Sequence, residues 1–222
     1  VFDQKPFDHV KVSWVNTDYF VGYFPRISQY LDKTFLAHKQ LENVWINRGV
    51  PKDKVTTSGM PISIPTSKAL EEQEKKLITS SLGFTNDPKA VLITIATGGT
   101  GAGDFTQMVR SLEKTFTKMK KNLRVIAVPA KDKANYDNLK KMKKELSKNV
   151  QLKVFEGFIP KEDLLRYIQA SDLYITKAGG LSPTEAFLLN KPVMLMNLFG
   201  GHERRNAKFF RNIGLAEVAD QY

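Results

Sequence analysis

Residues 90–104 read AVLITIATGGTGAGD, and this stretch decides the fold class. The run AVLITIA is typical of a strand buried on both faces, and a glycine-rich turn follows it. The next residues place an apolar stripe at helical spacing: Phe105, Met108, Val109, Leu112, Phe116 and Met119. A buried strand, a glycine turn and an amphipathic helix together form the repeating unit of parallel α/β sheets.

The same unit recurs along the chain. Further strand-like runs are LRVIAV (123–128), VQLKVFEGF (150–158), DLYIT (172–176) and PVMLMNL (192–198). Helical stretches lie between them: NLKKMKKELSKN (138–149), KEDLLRYIQAS (161–171) and SPTEAFLLN (182–190). Because crossovers between parallel strands are right-handed, the pattern predicts an α/β fold with a Rossmann-like, doubly wound parallel sheet.

The first 60 residues differ in pattern. HVKVSWVNTDYF (9–20) reads as a strand that ends in a polar loop, and a later helix closes at Gly49. The chain begins at Val1 and soon enters a strand, so we expect it to be part of a longer protein. We predict that residues 1–60 end a preceding α/β domain, that 61–66 form a hinge, and that 67–222 form the second domain.

Composition excludes several classes of protein. The chain has no cysteine, which excludes disulfides and Cys-built metal sites and suits a cytoplasmic protein. No run of about 18 apolar residues occurs, so we expect no transmembrane helix. The net charge is +11, and residues 110–153 hold 14 Lys/Arg against 4 Asp/Glu. This basic region is either a solvated surface or a contact with anionic membrane; nucleic acid is disfavoured because interleaved aromatics are missing.

Three loops at predicted strand ends have residues suited to a ligand. Ligands of open parallel sheets bind beyond the carboxyl ends of the strands. GGTGAGD (98–104) is either a tight turn or a phosphate site at a helix N-terminus, and it lacks the patterns of dinucleotide and P-loop sites. In EGFIPKEDLL (156–165), Phe158 and Ile159 are either the walls of a flat base or a hydrophobic staple.

The third loop opens a helix within TKAGGLSPTEAFLLNKP (176–192). We predict Ser182 as N-cap, Pro183 at the first helical position and Glu185 as the partner in a capping box. Alternatively, the Glu185 carboxylate accepts both hydroxyls of a ribose. A fourth polar stretch, FGGHERRNAKFF (199–210), is predicted to be a loop before a helix, and suits either a sugar or plain solvent.

Two motifs in these stretches are similar to those of a known family. The first motif consists of Thr176, Lys177, Gly179, Gly180, Ser182, Glu185 and Ala186. The second consists of Gly201, Glu203, Asn206 and Ala207. They resemble the donor-binding half of GT-B glycosyltransferases that make diacylglycerol glucosides and galactosides, which are related to the peptidoglycan N-acetylglucosaminyltransferase. NRGVPKDKVTTSGMPIS (47–63) resembles the family's domain junction, and WVNTDY (14–19) resembles part of its acceptor domain.

The resemblance implies a hexosyltransferase that uses a UDP-sugar, a lipid acceptor and no metal or cofactor. It implies that Glu185 holds the ribose and that Phe158 and Ile159 frame the uracil. It assigns the diphosphate to Thr100, Gly101 and the N–H groups near Gly179 and Gly180, with Lys177 in the same site and His202 near the phosphates. Glu203 and Asn206 would hold the sugar hydroxyls, and Asp18 would be the catalytic base.

The sequence also departs from the family. His202 stands where a Gln is usual, Thr100 replaces a Gly or Gln, and VPAKDKANY (128–136) replaces a Gly-Asn stretch. The bulk of an acceptor domain is missing, so we expect this chain to bind donor without turnover. We expect the whole enzyme to lie on the cytoplasmic face of the membrane. The alternatives are a peptidoglycan-type transferase, a UDP-sugar epimerase and a non-catalytic nucleotide-sugar-binding module.

Overall fold

The computed structural model describes residues 10–20, 30–62, 69–196 and 200–219, which form two parallel sheets. The smaller sheet has the strand order β1-β2-β3, with β1 at Ser13–Val15, β2 at Lys33–Leu36 and β3 at Val55–Thr57. Helix α1 (Gln40–Ile46) and a 3-10 turn (Lys52–Lys54) connect β2 to β3. A small core of Leu36, Leu41, Trp45 and Val50 holds this unit together.

The larger sheet has six parallel strands. They are β4 (Val91–Ala96), β5 (Leu123–Val128), β6 (Val150–Val154), β7 (Leu173–Thr176), β8 (Val193–Leu195) and β9 (Glu217–Val218). The described helices are α2 (Glu72–Ser81), α3 (Phe105–Lys118), α4 (Lys133–Met142), α5 (Lys161–Ala170), α6 (Leu181–Leu188) and α7 (Gly200–Asn212). The spatial order β6-β5-β4-β7-β8-β9 is that of a doubly wound sheet, so the predicted Rossmann-like fold is confirmed.

Helices cover both faces of this sheet, which explains why its strands read as continuous apolar runs. Leu92 of β4 packs in a cluster with residues of α2, α5, α6 and α7. Its neighbour Ile93 packs in a second cluster with residues of α3 and α4. Because successive side chains of a strand point to opposite faces, each strand contributes to both cores. The strand order reverses between β4 and β7, and the crevice at that point is where such folds bind ligands.

Several predicted boundaries are wrong. The helix predicted over 138–149 runs instead from Lys133 to Met142, because the Asp132 carboxylate caps it by accepting the Asn135 backbone N–H at 2.9 Å. The stretch after Phe199 that was predicted as a loop is helical from Gly200 onwards. Most of the predicted hinge, residues 63–66, lies outside the described residues, and the domain limits stay predictions. Within the described ranges, no helix is long and apolar enough to cross a membrane.

Candidate functional site

A cleft opens at the carboxyl edge of the larger sheet, beside the switch point between β4 and β7. Its volume is about 610 Å³, including the part that is open to solvent. Gly98 and Gly99 line it from the loop after β4, Phe158 and Ile159 from the loop after β6, and Ser182 from α6. The loops that the sequence predicts to carry a ligand therefore meet in one place.

The lining of the cleft is mostly apolar, with an aromatic ring at the rim and two hydroxyl groups at the floor. Phe158 is 61% exposed. Its ring packs beside Gly99, because a Cβ added to that glycine would lie 3.5 Å from the ring atom Cε1. The Lys131 ammonium lies 5.6 Å from the centre of the same ring. On the floor, the Tyr174 hydroxyl donates to the Ala96 carbonyl at 3.1 Å. Burial raises the pKa of the Tyr174 phenol, so this hydroxyl stays protonated and neutral.

The predicted capping arrangement at the start of α6 is wrong. The helix begins at Leu181, since Gly180 is already in a helical conformation with φ −77° and ψ −44°. The Ser182 hydroxyl, which the sequence assigned to the N-cap, lies 2.8 Å from the Tyr174 hydroxyl inside the cleft. Pro183 is therefore the third helical residue, and Glu185 is too far into the helix to close a capping box.

Glu185 instead forms an ion pair with a lysine that lines the cleft. The Lys161 ammonium lies 2.8 Å from its Oε1, and Glu185 itself is only 9% exposed. Lys161 lines the cleft, and the sequence analysis missed it. One signal could have found it: Lys161 is the first residue of α5, where the helix dipole disfavours a cation unless a nearby anion compensates.

A second ion pair lies at the switch point itself. The Lys177 ammonium is 3.2 Å from Oε1 of Glu203, which is 3% exposed. A Cβ added to Gly98 would lie 3.3 Å from Lys177 Cε, so the lysine runs alongside the glycine loop. His202, on the first turn of α7, is exposed to solvent.

Gly101 has a structural duty that the sequence analysis did not foresee. Its φ is +65°, it is buried, and a side chain there would overlap the carbonyl oxygen of Pro129. The Asn135 amide ties the two loops together by donating to the Gly103 carbonyl at 2.8 Å. Thr100 lies exposed in the turn before Gly101. Of Thr100 and Gly101, both predicted to contact the diphosphate, Thr100 is therefore the more accessible.

Residues of the first sheet's unit reach the same region. Asp18 Oδ1 accepts from the Asn206 amide of α7 at 2.7 Å. A Cβ at Gly180 would overlap the carbonyl oxygen of Thr17 and lie 2.8 Å from its carbon, whereas one at Gly179 would meet nothing within 4 Å. The predicted base and the predicted diphosphate loop are thus direct neighbours.

The chemistry of the cleft follows from these groups. An exposed aromatic ring offers a stacking surface to a base, and the Glu185 carboxylate next to Lys161 has oxygens that accept from hydroxyls. Glycine loops and helix N-termini beside two lysines suit a diphosphate. No group of three His, Cys, Asp or Glu side chains in the described ranges is placed to hold a metal ion.

Comparison with known proteins agrees with this geometry. Residues 92–222 match the glycosyltransferase family 28 C-terminal domain. A processive diacylglycerol beta-glucosyltransferase of Bacillus cytotoxicus is 30% identical over 192 residues, which cover 86% of this chain and 46% of that protein. The enzyme of the same name from Staphylococcus saprophyticus is 24% identical over 194 residues, covering 87% of this chain and 46% of that protein. The chain thus spans about half the length of these relatives.

Solved structures show the same fold. MurG of Acinetobacter baumannii superposes with a TM-score of 0.63 at 17% identity, covering 95% of this chain and 53% of MurG. The UDP-GlcNAc 2-epimerase of Methanocaldococcus jannaschii gives 0.60 at 15% identity, covering 95% of this chain and 60% of the epimerase. The family match covers more than half of the residues and contains the cleft's loops and helices. The chain belongs to glycosyltransferase family 28, whose C-terminal domain it carries.

Proposed function

We propose that this chain forms the UDP-sugar-binding part of a glycosyltransferase that passes a hexose to a diacylglycerol-type lipid. One observation carries the proposal. A single cleft at the switch point is lined by an exposed aromatic ring, by two glycines and by Lys161, whose ammonium pairs with the nearly buried Glu185 carboxylate. Lys177 runs alongside Gly98, one of the two glycines. The names of the relatives from Bacillus and Staphylococcus support the lipid acceptor and the glucosyl group.

We orient the donor by the residues that line the cleft and its neighbours. Uracil stacks at Phe158 and Ile159, and the ribose hydroxyls meet Glu185, which pairs with Lys161 of the cleft lining. The diphosphate then lies over Thr100, Gly179 and Gly180, with Lys177 nearby. The sugar projects toward α7, where His202, Glu203 and Asn206 are placed.

The reaction is a displacement at the anomeric carbon of the sugar. The bond from that carbon to the diphosphate oxygen breaks, and UDP leaves with the electron pair. The acceptor hydroxyl oxygen forms the new glycosidic bond, and its proton passes to the Asp18 carboxylate. Charge that develops on the leaving diphosphate is stabilised by Lys177 and by backbone N–H groups in the first turn of α6, since the Gly179 N–H donates to the Lys177 carbonyl at 2.9 Å.

The basic region fits a peripheral enzyme on the cytoplasmic face of an anionic membrane. Its lysines at 140, 141, 143 and 144 are all exposed. Each cation close to anionic lipid contributes roughly 1 kcal/mol, so four of them hold a protein at a surface. An epimerase is the weaker candidate, because Glu203, the carboxylate that it would use as acid or base, is buried in its pair with Lys177.

Nucleotide selectivity tests the donor site. UDP at 100 times its Kd stabilises the folded chain by about 2.7 kcal/mol, which corresponds to a rise in Tm of about 5 to 10 °C for a domain of this size. ADP is the matched control, since it has the same diphosphate and ribose with a different base. We expect ADP and NAD to raise the Tm by less than about 2 °C. Equal shifts in Tm for UDP and ADP would contradict the proposed recognition of uracil. The absence of any shift with UDP would contradict the proposed donor site.

A further inference from the structure

The Asn206 side chain is buried and makes three hydrogen bonds within the protein. It is 0% exposed. Its Nδ2 donates to Asp18 Oδ1 at 2.7 Å and to the Ala178 carbonyl at 3.1 Å. Its Oδ1 accepts the Tyr19 backbone N–H at 2.8 Å. A primary amide has two donor hydrogens, and both are used, so Asn206 can donate to a sugar hydroxyl only by giving up Asp18 or Ala178. Its Oδ1 has a second lone pair, but the side chain is fully buried, so a sugar hydroxyl has no access to it.

The same turn is fixed to the larger sheet by contacts that do not involve Asn206. The Tyr19 hydroxyl lies 2.8 Å from Thr184 Oγ1 on α6. The Tyr19 ring stacks on Phe209 of α7 with centroids 4.6 Å apart. The Thr17 carbonyl packs where Gly180 has no side chain. Residues 17–19 therefore sit in a socket formed by α6, α7 and the loop after β7.

We propose that Asn206 is a positioning residue that holds Asp18 beside the loop after β7, and is not a ligand of the donor sugar. The proposal rests on the proposed function, because it takes Asp18 as the base and that loop as the diphosphate site. One carboxamide joins the two: its Nδ2 contacts both the Asp18 carboxylate and the carbonyl of Ala178, the residue just before Gly179. The base is thereby set at a fixed place relative to the anomeric carbon, which lies next to the diphosphate.

The socket explains why a buried amide suits this task. Hydrogen bonds to a charged group are about twice as strong as neutral ones, and the Asp18 bond is of that kind. Removing Asn206 takes this bond from the half-buried Asp18 carboxylate, and removing Asp18 leaves one N–H of the buried amide without an acceptor. The turn is therefore stable with both residues in place and loosened when either is changed, and the two changes should not add.

Binding measurements distinguish positioning from sugar recognition. In Asn206→Ala, we expect the Kd for UDP and the Kd for UDP-glucose to change by the same factor, within about twofold of each other. In the full-length gene product, we expect kcat for lipid glucosylation to fall about tenfold to hundredfold, with little change in the KM for UDP-glucose. A tenfold loss of affinity for UDP-glucose with unchanged affinity for UDP would overturn the proposal, because it marks a sugar ligand.

A second pair of measurements examines the amide in the unaltered chain and the coupling of Asn206 to Asp18. In the unaltered chain, the Asn206 side-chain amide should be protected from hydrogen exchange, and its NMR signal should be the same with UDP as with UDP-glucose. The losses in Tm of Asp18→Ala and Asn206→Ala should fail to add in the double variant. Fast exchange of the amide or additive losses would refute the proposal. If neither nucleotide binds while the losses are non-additive, the proposed function fails and the contact stands.

Discussion

Gly180→Ala tests the contact between the Thr17–Tyr19 turn and the larger sheet. The backbone at Gly180 is helical, so alanine can adopt its φ and ψ without strain. The added methyl group, however, would overlap the carbonyl oxygen of Thr17. A helical backbone cannot yield at this point without disturbing α6, so the turn has to retreat.

The size of the effect follows from the hydrogen bonds that the retreat breaks. Normal contact between heavy atoms needs about 3.5 Å, so the Thr17 carbonyl must withdraw by roughly 1 Å or more. That distance breaks the bonds of Asp18 and of the Tyr19 N–H to Asn206, which are 2.7 and 2.8 Å long, and the 2.8 Å bond of the Tyr19 hydroxyl. At about 1 kcal/mol each, the loss is about 3 kcal/mol, or roughly 6 to 12 °C in Tm.

Gly179→Ala is the matched control, since a Cβ there meets no atom within 4 Å and its φ is not positive. Differential scanning calorimetry of both variants and of the parent chain measures the effect. We expect the Gly179 variant to unfold within about 2 °C of the parent and the Gly180 variant to unfold well below it. Equal Tm values for the two variants would show that Thr17 does not occupy this position in solution, and would also undermine the positioning of Asp18.

The other predictions concern the cleft wall, the basic region and a buried carboxylate. Lys161→Met should weaken UDP binding about threefold by isothermal titration, because the half-exposed pair with Glu185 contributes less than about 1 kcal/mol; a loss above a hundredfold would mean that Lys161 contacts UDP itself. Glutamate in place of Lys140, Lys141, Lys143 and Lys144 should reduce co-sedimentation with phosphatidylserine vesicles more than tenfold at low salt and less at high salt. An effect that does not depend on salt would show that these lysines are only solvent-exposed and do not bind the membrane. The pKa of Glu113 lies below its ordinary value although burial raises it, because hydrogen bonds from Ser147 and Arg110 favour the charged form. The contribution of the ionised Glu113 to the free energy of unfolding is therefore present above pH 4.5 and lost as the pH falls through the folded pKa. We expect Glu113→Gln to lower Tm by about 4 to 8 °C at pH 7 and much less near pH 3.

The fold could be predicted because its signals are local. The run AVLITIA is apolar at each position except Thr94, whose buried hydroxyl bonds to Ser171, and Phe105 begins a stripe that repeats with the helical period. Strand order could not be predicted in the same way, since it depends on which strands meet in space. The start of α6 was placed at Ser182 for a related reason: the hydroxyl that resembles a cap is used by Tyr174, which lies in the preceding strand.

In the candidate site, too, local features could be predicted from the sequence and long-range contacts could not. Glu185 and Lys177 could be named because they belong to a motif of the family that the sequence resembles, and their ligand roles stay predictions. The position of Lys161 at the start of α5 gives a reason to look for a nearby anion, but no local signal shows that this partner lies 24 positions away. The contact of Asn206 with Asp18 spans 188 positions, so the sequence could list both residues without showing that each occupies the other.

The affinity of the chain for UDP relative to 2′-deoxy-UDP tests the central claim most directly. If the Glu185 carboxylate accepts the ribose diol, the unaltered chain should bind UDP about tenfold more tightly than the deoxy analogue, which corresponds to one good hydrogen bond of about 1.4 kcal/mol. In Glu185→Gln, the preference should fall below about threefold, while the variant stays folded. A chain that binds both nucleotides equally, or a preference that survives in Glu185→Gln, would contradict the placement of the UDP-sugar in this cleft.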